Sequence, residues 1–156
     1  MTTQRNGLPT LSVDLLRAAL RSEEFSGDKS EDGLRRAVER YLKWLRLVAR
    51  YPEVPLAPAR DVDRMWHLHM LHPRAYAADC QRLFGFLLDH DGGFGAAPDE
   101  APVLQEVFSG TAALWAAEYG ESYTGTPENP SNGMTSCTRN CVSRCQRACK
   151  TKDALA

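Results

Sequence analysis

All four histidines of the chain fall between positions 67 and 90, and an aspartate, Asp63, stands one helical turn before the first of them. Imidazole titrates near neutral pH and is the commonest metal ligand. The stretch Asp61 to His72 is otherwise apolar, with Val62, Met65, Trp66, Leu68, Met70 and Leu71. A helix apolar around most of its circumference is buried, so its polar groups need internal partners, a polar cavity or a metal. At about 100° per residue, Asp63 and His67 share one face and His69 and His72 share another. His67 and His69 point about 200° apart, so one straight helix does not aim both at one ion.

Two readings of this cluster stay open. In the first, Asp63 and His67 join His90 around a metal, with His69 bound directly or supporting from behind. Two nitrogens, one oxygen and an open position suit zinc hydrolysis or a ferrous facial triad. Asp89 and Asp91 flank His90, and with His72, Asp79 and Cys80 they are candidates for orienting the ligands. An open coordination position would activate water or dioxygen on a peptide or thiol substrate. In the second, the histidines and carboxylates form a buried hydrogen-bond network in a non-catalytic interaction module for a peptide or protein partner. Cys80 is either a small buried hydrophobe or a nucleophile with His69 or His72 as its base.

A second pattern lies in the tail. Cys137, Cys141, Cys145 and Cys149 recur every four residues. On a helix the first and last are about 18 Å apart, so one tetrahedral ion does not reach all four. Neighbouring pairs suit zinc or cuprous copper, or pair in redox chemistry. Arg139, Arg144, Arg147 and Lys150 interleave and raise thiol reactivity.

The elements that would position these groups are helical. No run alternates β-branched residues with period two. Thr10 or Ser12 caps a short helix to about Ser22, with Leu11, Leu15, Leu16 and Leu20 inward. Phe25 to Lys29 reads as a loop. Ser30 caps a long helix reaching Tyr51, its apolar stripe Leu34, Val38, Tyr41, Leu42, Leu45 and Val48. Pro52, Pro55 and Pro58 mark an extended connector. The histidine helix starts at Asp61 and is interrupted by Pro73, which opens a further helix to Phe84. A glycine-rich loop carries His90. Asp99 caps a last helix to Tyr119, with Val103, Val107, Leu114 and Trp115 inward, and Gly120 ends it. Arg36, Arg40, Lys43, Arg46 and Arg50 run along the long helix. Without interleaved aromatics, they read as a solvated face and disfavour nucleic acid.

The chain has 156 residues, 43% hydrophobic and 25% charged, with a formal net charge of -1. That composition fits one globular domain and gives no global pull toward nucleic acid or membrane. No apolar run approaches the roughly 20 residues that span a bilayer, and the first residues lack the apolar core of a secretory signal. The expectation is a cytoplasmic protein with reduced thiols.

Trp66-His67-Leu68-His69-Met70-Leu71, then Tyr76 with Asp79-Cys80, then Leu83-Phe84-Gly85, His90 and Phe94-Gly95 together resemble the glycine-rich domain-containing protein-like family. Thr111, Leu114-Trp115 and the stretch Tyr119 to Tyr123 resemble the helix that closes its domain. The resemblance covers roughly residues 35 to 123. It implies a small helical domain without an established reaction, with Asp63, Trp66, His67, His69, Tyr76, Asp79, Cys80 and His90 as signature residues. This chain departs from the family in its loop, where Asp89-His90-Asp91-Gly92-Gly93 stands in place of a His-His pair followed by an aromatic residue and proline. The resulting expectation is an all-α protein. Residues 1–123 form a single domain of four or five helices, and residues 124–156 a linker and Cys-rich tail. A divalent metal, zinc or iron, is expected at Asp63, His67, His69 and His90, with copper a further candidate at the tail.

Overall fold

The computed structural model of the chain describes residues 7–26, 30–90 and 92–124. Asp91 and the cysteines of the tail lie outside them. The fold is all-α. Among the described residues five α-helices run in the order α1 (Leu15–Arg21), α2 (Glu31–Arg50), α3 (Arg60–Met70), α4 (Pro73–Phe84) and α5 (Ala101–Tyr119), and a 3₁₀ turn at Glu23–Phe25 follows α1. Among the described residues no helix is long and apolar enough to cross a membrane.

Local chemistry explains most of the boundaries. Asp14, rather than Thr10 or Ser12, caps α1, its carboxylate accepting the Arg17 N–H at 3.0 Å. Ser30 caps α2, accepting the Gly33 N–H on its hydroxyl at 3.3 Å, and Glu31 and Asp32 occupy the first turn. Pro73 starts α4, where its missing N–H costs no hydrogen bond. Gly85 and Gly120 end α4 and α5 at φ 75° and 65°, the left-handed conformation that a side chain resists.

The chain divides into two compact units. The first comprises residues 1–50 and 61–87. In it α2 buries Leu34, Tyr41, Trp44, Leu45, Leu47 and Val48, and α3 buries Val62, Met65, Trp66 and Leu68. The Trp44 and Trp66 rings lie 4.9 Å apart at their centroids, and the Trp66 indole N–H donates to the Tyr76 hydroxyl at 2.8 Å. Burying such rings supplies the largest apolar contribution per residue, while the hydroxyl satisfies the indole donor. In α1 the inward residues are Leu15 and Ala19, and Leu20 is 55% exposed, contrary to the expectation from its apolar character.

The basic strip of α2 is partly neutralised. Arg40 pairs with Asp61 at 2.6 Å with both side chains largely buried, and Lys43 pairs with Glu39 at 3.3 Å. Asp61 also accepts the Val62 N–H at 2.9 Å, so it closes the first turn of α3 while holding Arg40.

The second unit comprises residues 51–60 and the chain from Leu88 onward. Here α5 and Tyr123 hold the proline-rich connector. The Thr111 hydroxyl accepts the Ala57 N–H at 2.9 Å and donates to the Val107 carbonyl at 2.9 Å. The Tyr123 hydroxyl donates to the Ala57 carbonyl at 2.8 Å and accepts the Ala59 N–H at 2.7 Å. Leu56, Ala57 and Ala59 are buried, so these backbone groups need such partners. The buried stripe of α5 is Leu104, Phe108, Thr111 and Trp115. Of the expected inward residues only Trp115 is fully buried, and Val103 is 48% exposed. The helix is apolar on several sides, so hydrophobicity alone did not select its face.

Candidate functional site

The α3 helix presents its polar groups in two directions, as its geometry requires. On one face Asp63 is 6% exposed, and its Oδ1 lies 3.4 Å from Nε2 of His67, one turn later. That distance exceeds a good hydrogen bond of this type, normally about 2.7–3.2 Å. It matches two donors sharing one tetrahedral zinc, which at bond lengths of about 2.0–2.1 Å stand about 3.3 Å apart. Asp63, His67 and His90 each carry a donor type that could hold a metal ion. His90 follows Leu88 in the second unit, and its neighbour Asp89 is exposed.

On the other face His69 is 1% exposed and both of its ring nitrogens are engaged. Nε2 lies 3.0 Å from Oδ2 of Asp79, and Nδ1 lies 2.9 Å from the Tyr41 hydroxyl. The carboxylate only accepts, so Nε2 carries the proton, Nδ1 accepts, and Tyr41 O–H donates to it. This is the neutral ring, and burial lowers the His69 pKa from its ordinary 6.5 against the opposing pull of Asp79. Burial likewise pushes the Tyr41 hydroxyl well above 10.0, helped by Tyr76, Cys80 and Asp79 nearby. With neither nitrogen left for a metal, His69 serves a protein network, although its residue type had made it a candidate ligand.

Asp79 is the hub of that network. It is fully buried. Its two oxygens accept the Ser12 N–H at 2.8 and 3.1 Å, the Ser12 hydroxyl at 2.6 Å, an Arg82 N–H at 2.7 Å and His69. Burial alone would raise its pKa. The bonds from Ser12, Arg82 and His69 outweigh that, and the carboxyl is held below its ordinary 3.8. Arg82 also donates to the Thr10 carbonyl, so the segment before α1 is fastened to α4 at both Thr10 and Ser12. The Tyr76 and His69 rings meet in a T, their centroids 5.0 Å apart and planes at 90°.

The His72 Nδ1 donates to the Leu68 carbonyl at 2.9 Å. Cys80 is a buried thiol. Ser12, Tyr41 and Arg82 were not legible as site residues. Tyr41 fell within an apolar stripe, and nothing near Ser12 in the sequence signals a carboxylate 67 positions later.

The family model described as glycine-rich domain-containing protein-like matches residues 2–79. The chain is 41% identical over 96 residues to glycine-rich domain-containing protein 2 of Arabidopsis thaliana, covering 53% of this chain and 12% of that protein. It is 34% identical over 120 residues to glycine-rich domain-containing protein 1 of the same plant, covering 70% of this chain and 14% of that one. The chain therefore spans about an eighth of the length of these relatives. No solved structure matches. The family match begins well before residue 35, where the resemblance had been placed, and it takes in both Ser12 and Asp79, the two ends of the clasp. On that match the chain belongs to the glycine-rich domain-containing protein-like family.

Proposed function

We propose that this protein binds a divalent transition metal, zinc or iron, through Asp63 and His67 of α3, with His90 as the third protein ligand. The observation that carries the reading is the 3.4 Å separation of Asp63 Oδ1 and His67 Nε2, a spacing that two ligands on one ion would also have. The donor types of the three side chains support it. Three protein ligands leave an open position, which suits activation of water or dioxygen and, in an enzyme, a peptide or thiol substrate. The setting that fits is a reducing, cytoplasmic one, in which the tail thiols stay available for zinc or copper.

The test separates the two metal-binding candidates. All four tail cysteines are changed to serine, and the full chain is titrated with zinc by calorimetry and with cobalt by visible absorption. One equivalent is expected to bind, and Asp63→Asn, His67→Gln and His90→Gln are each expected to weaken it on the order of 100-fold. Absence of any equivalent once the tail thiols are gone would refute the reading, as would unchanged affinity in the three variants.

A second reading is favoured by a separate observation, the complete engagement of His69 and Asp79 by protein partners. In it the signature residues are a buried network that specifies the fold of a non-catalytic interaction module. The readings compete for Asp63, His67 and His90, whereas a metal at those residues is compatible with a purely structural His69.

A further inference from the structure

A cleft of about 610 Å³ opens in the first unit, and neither Asp63 nor His67 lines it. Its walls come from the segment Ser12 to Ser22 and from the end of α3, with Leu68, Leu71 and His72. A volume of this size suits a small organic molecule, for which pockets run about 300–1,000 Å³.

The chemistry of the lining is specific. Arg17 and Arg21 stand one turn apart on α1 and both face the cleft. Neither guanidinium has an ion pair or a side-chain hydrogen bond among the described residues. This contrasts with Arg35, Arg40 and Arg82, each of which holds a carboxylate. The single carboxylate in the lining, Asp14, is already used as the cap of α1. His72 gives its Nδ1 proton to Leu68, which leaves Nε2 as the ring's second polar position. Beside these groups lies apolar surface. Leu68 is buried and Leu71 is 68% exposed.

We propose that this cleft binds a small amphipathic oxyanion, its carboxylate or phosphate held by Arg17 and Arg21 and its apolar body laid on Leu68 and Leu71. Two guanidinium forks against one spent carboxylate give the cleft a net positive lining, and such forks pair with carboxylate and phosphate oxygens two at a time. The exposed leucine gives the ligand's hydrocarbon part a surface to cover, and burial there adds affinity in proportion to the area removed from water.

Octanoate, octyl phosphate and octanol serve as probes in amide-detected NMR titrations of the full chain. The two anions share the required chemistry, and whichever binds more tightly identifies the head group. Saturable shifts are expected at Arg17, Arg21, Leu71 and His72, with octanol at least about tenfold weaker than the better anion. The double variant Arg17→Gln with Arg21→Gln changes only exposed side chains, and it is expected to lose at least about tenfold in affinity for the anions while leaving octanol unchanged. Leu71→Ser is expected to weaken all three probes. No saturable binding of either anion, equal binding of octanol, or unchanged affinity in the double variant would each overturn the proposal. Because these residues are not Asp63, His67 or His90, failure here leaves the metal reading untouched.

Discussion

Replacing Asp79 with asparagine tests the buried network directly. The carboxylate receives Ser12 through both backbone and hydroxyl, Arg82, and His69. An asparagine keeps one oxygen, turns the other into an NH₂ donor, and removes the negative charge that strengthens every bond the site receives. At the Oδ2 position the NH₂ would confront the Ser12 N–H and His69 Nε2, and at Oδ1 the Ser12 hydroxyl and Arg82. The Ser12 hydroxyl can turn to accept an NH₂ placed at Oδ1, so the loss comes mainly from the missing charge. A bond to a charged acceptor is worth about 1.5–3 kcal/mol and a neutral one about 0.5–1.5, a difference of about 1 kcal/mol for each of the three bonds from Ser12 and His69. The Arg82 contribution is discounted, because that side chain is 48% exposed and screened by solvent. The expected loss is about 3 kcal/mol, read as a fall of about 1–2 M in the urea midpoint. Arg82→Gln, by the same reasoning, costs about 1 kcal/mol or less.

The sign of the pH dependence follows from the lowered Asp79 pKa. The unfolded chain takes up a proton near 3.8 and the folded chain only below that. The stabilisation is therefore fully present above 3.8 and is lost as pH falls through the folded value. Asp79→Asn is expected to flatten that acid slope. A variant within about 1 kcal/mol of the parent at neutral pH, with the acid slope intact, would refute the assignment of Asp79 as the hub.

Other consequences can be measured just as simply. Tyr123→Phe removes the hydroxyl that serves both Ala57 and Ala59, leaving the Ala59 N–H without its acceptor. A loss of about 1–3 kcal/mol is expected, with faster hydrogen exchange at Ala59. Gly85→Ala meets no neighbouring atom but must hold φ near 75°, so a loss of about 1 kcal/mol by thermal or urea unfolding is expected. At alkaline pH the unfolded chain ionises Tyr41 near 10.0 while the buried hydroxyl resists. Stability is thus expected to fall as pH rises above that value, and Tyr41→Phe should remove this component.

Which parts of the molecule could be read in the sequence follows from how local the causes are. Pro73, Gly85 and Gly120 act within a turn of their own positions, and each ends or begins a helix where expected. The divergence of His67 and His69 is also local, being fixed by helical pitch, and the two side chains do serve different partners. Long-range pairing has no such signal. Asp79 was read as support for a metal, yet its partners include Ser12, which had been taken as a candidate cap. The stripe of α5 slipped from Val103 to Leu104 because alanine, valine and leucine cover several sides of that helix.

The fastening of Thr10 and Ser12 to α4 also bears on where this domain can be cut. A fragment designed around the histidine motif alone, starting at α2, would strip Asp79 of every bond from Ser12 and leave Arg82 without its carbonyl. The Asp79 carboxylate would then lose the Ser12 donors that help hold it ionised. Thr10 and Ser12 are thus a working part of the fold, and a boundary drawn after them would remove a structural tie.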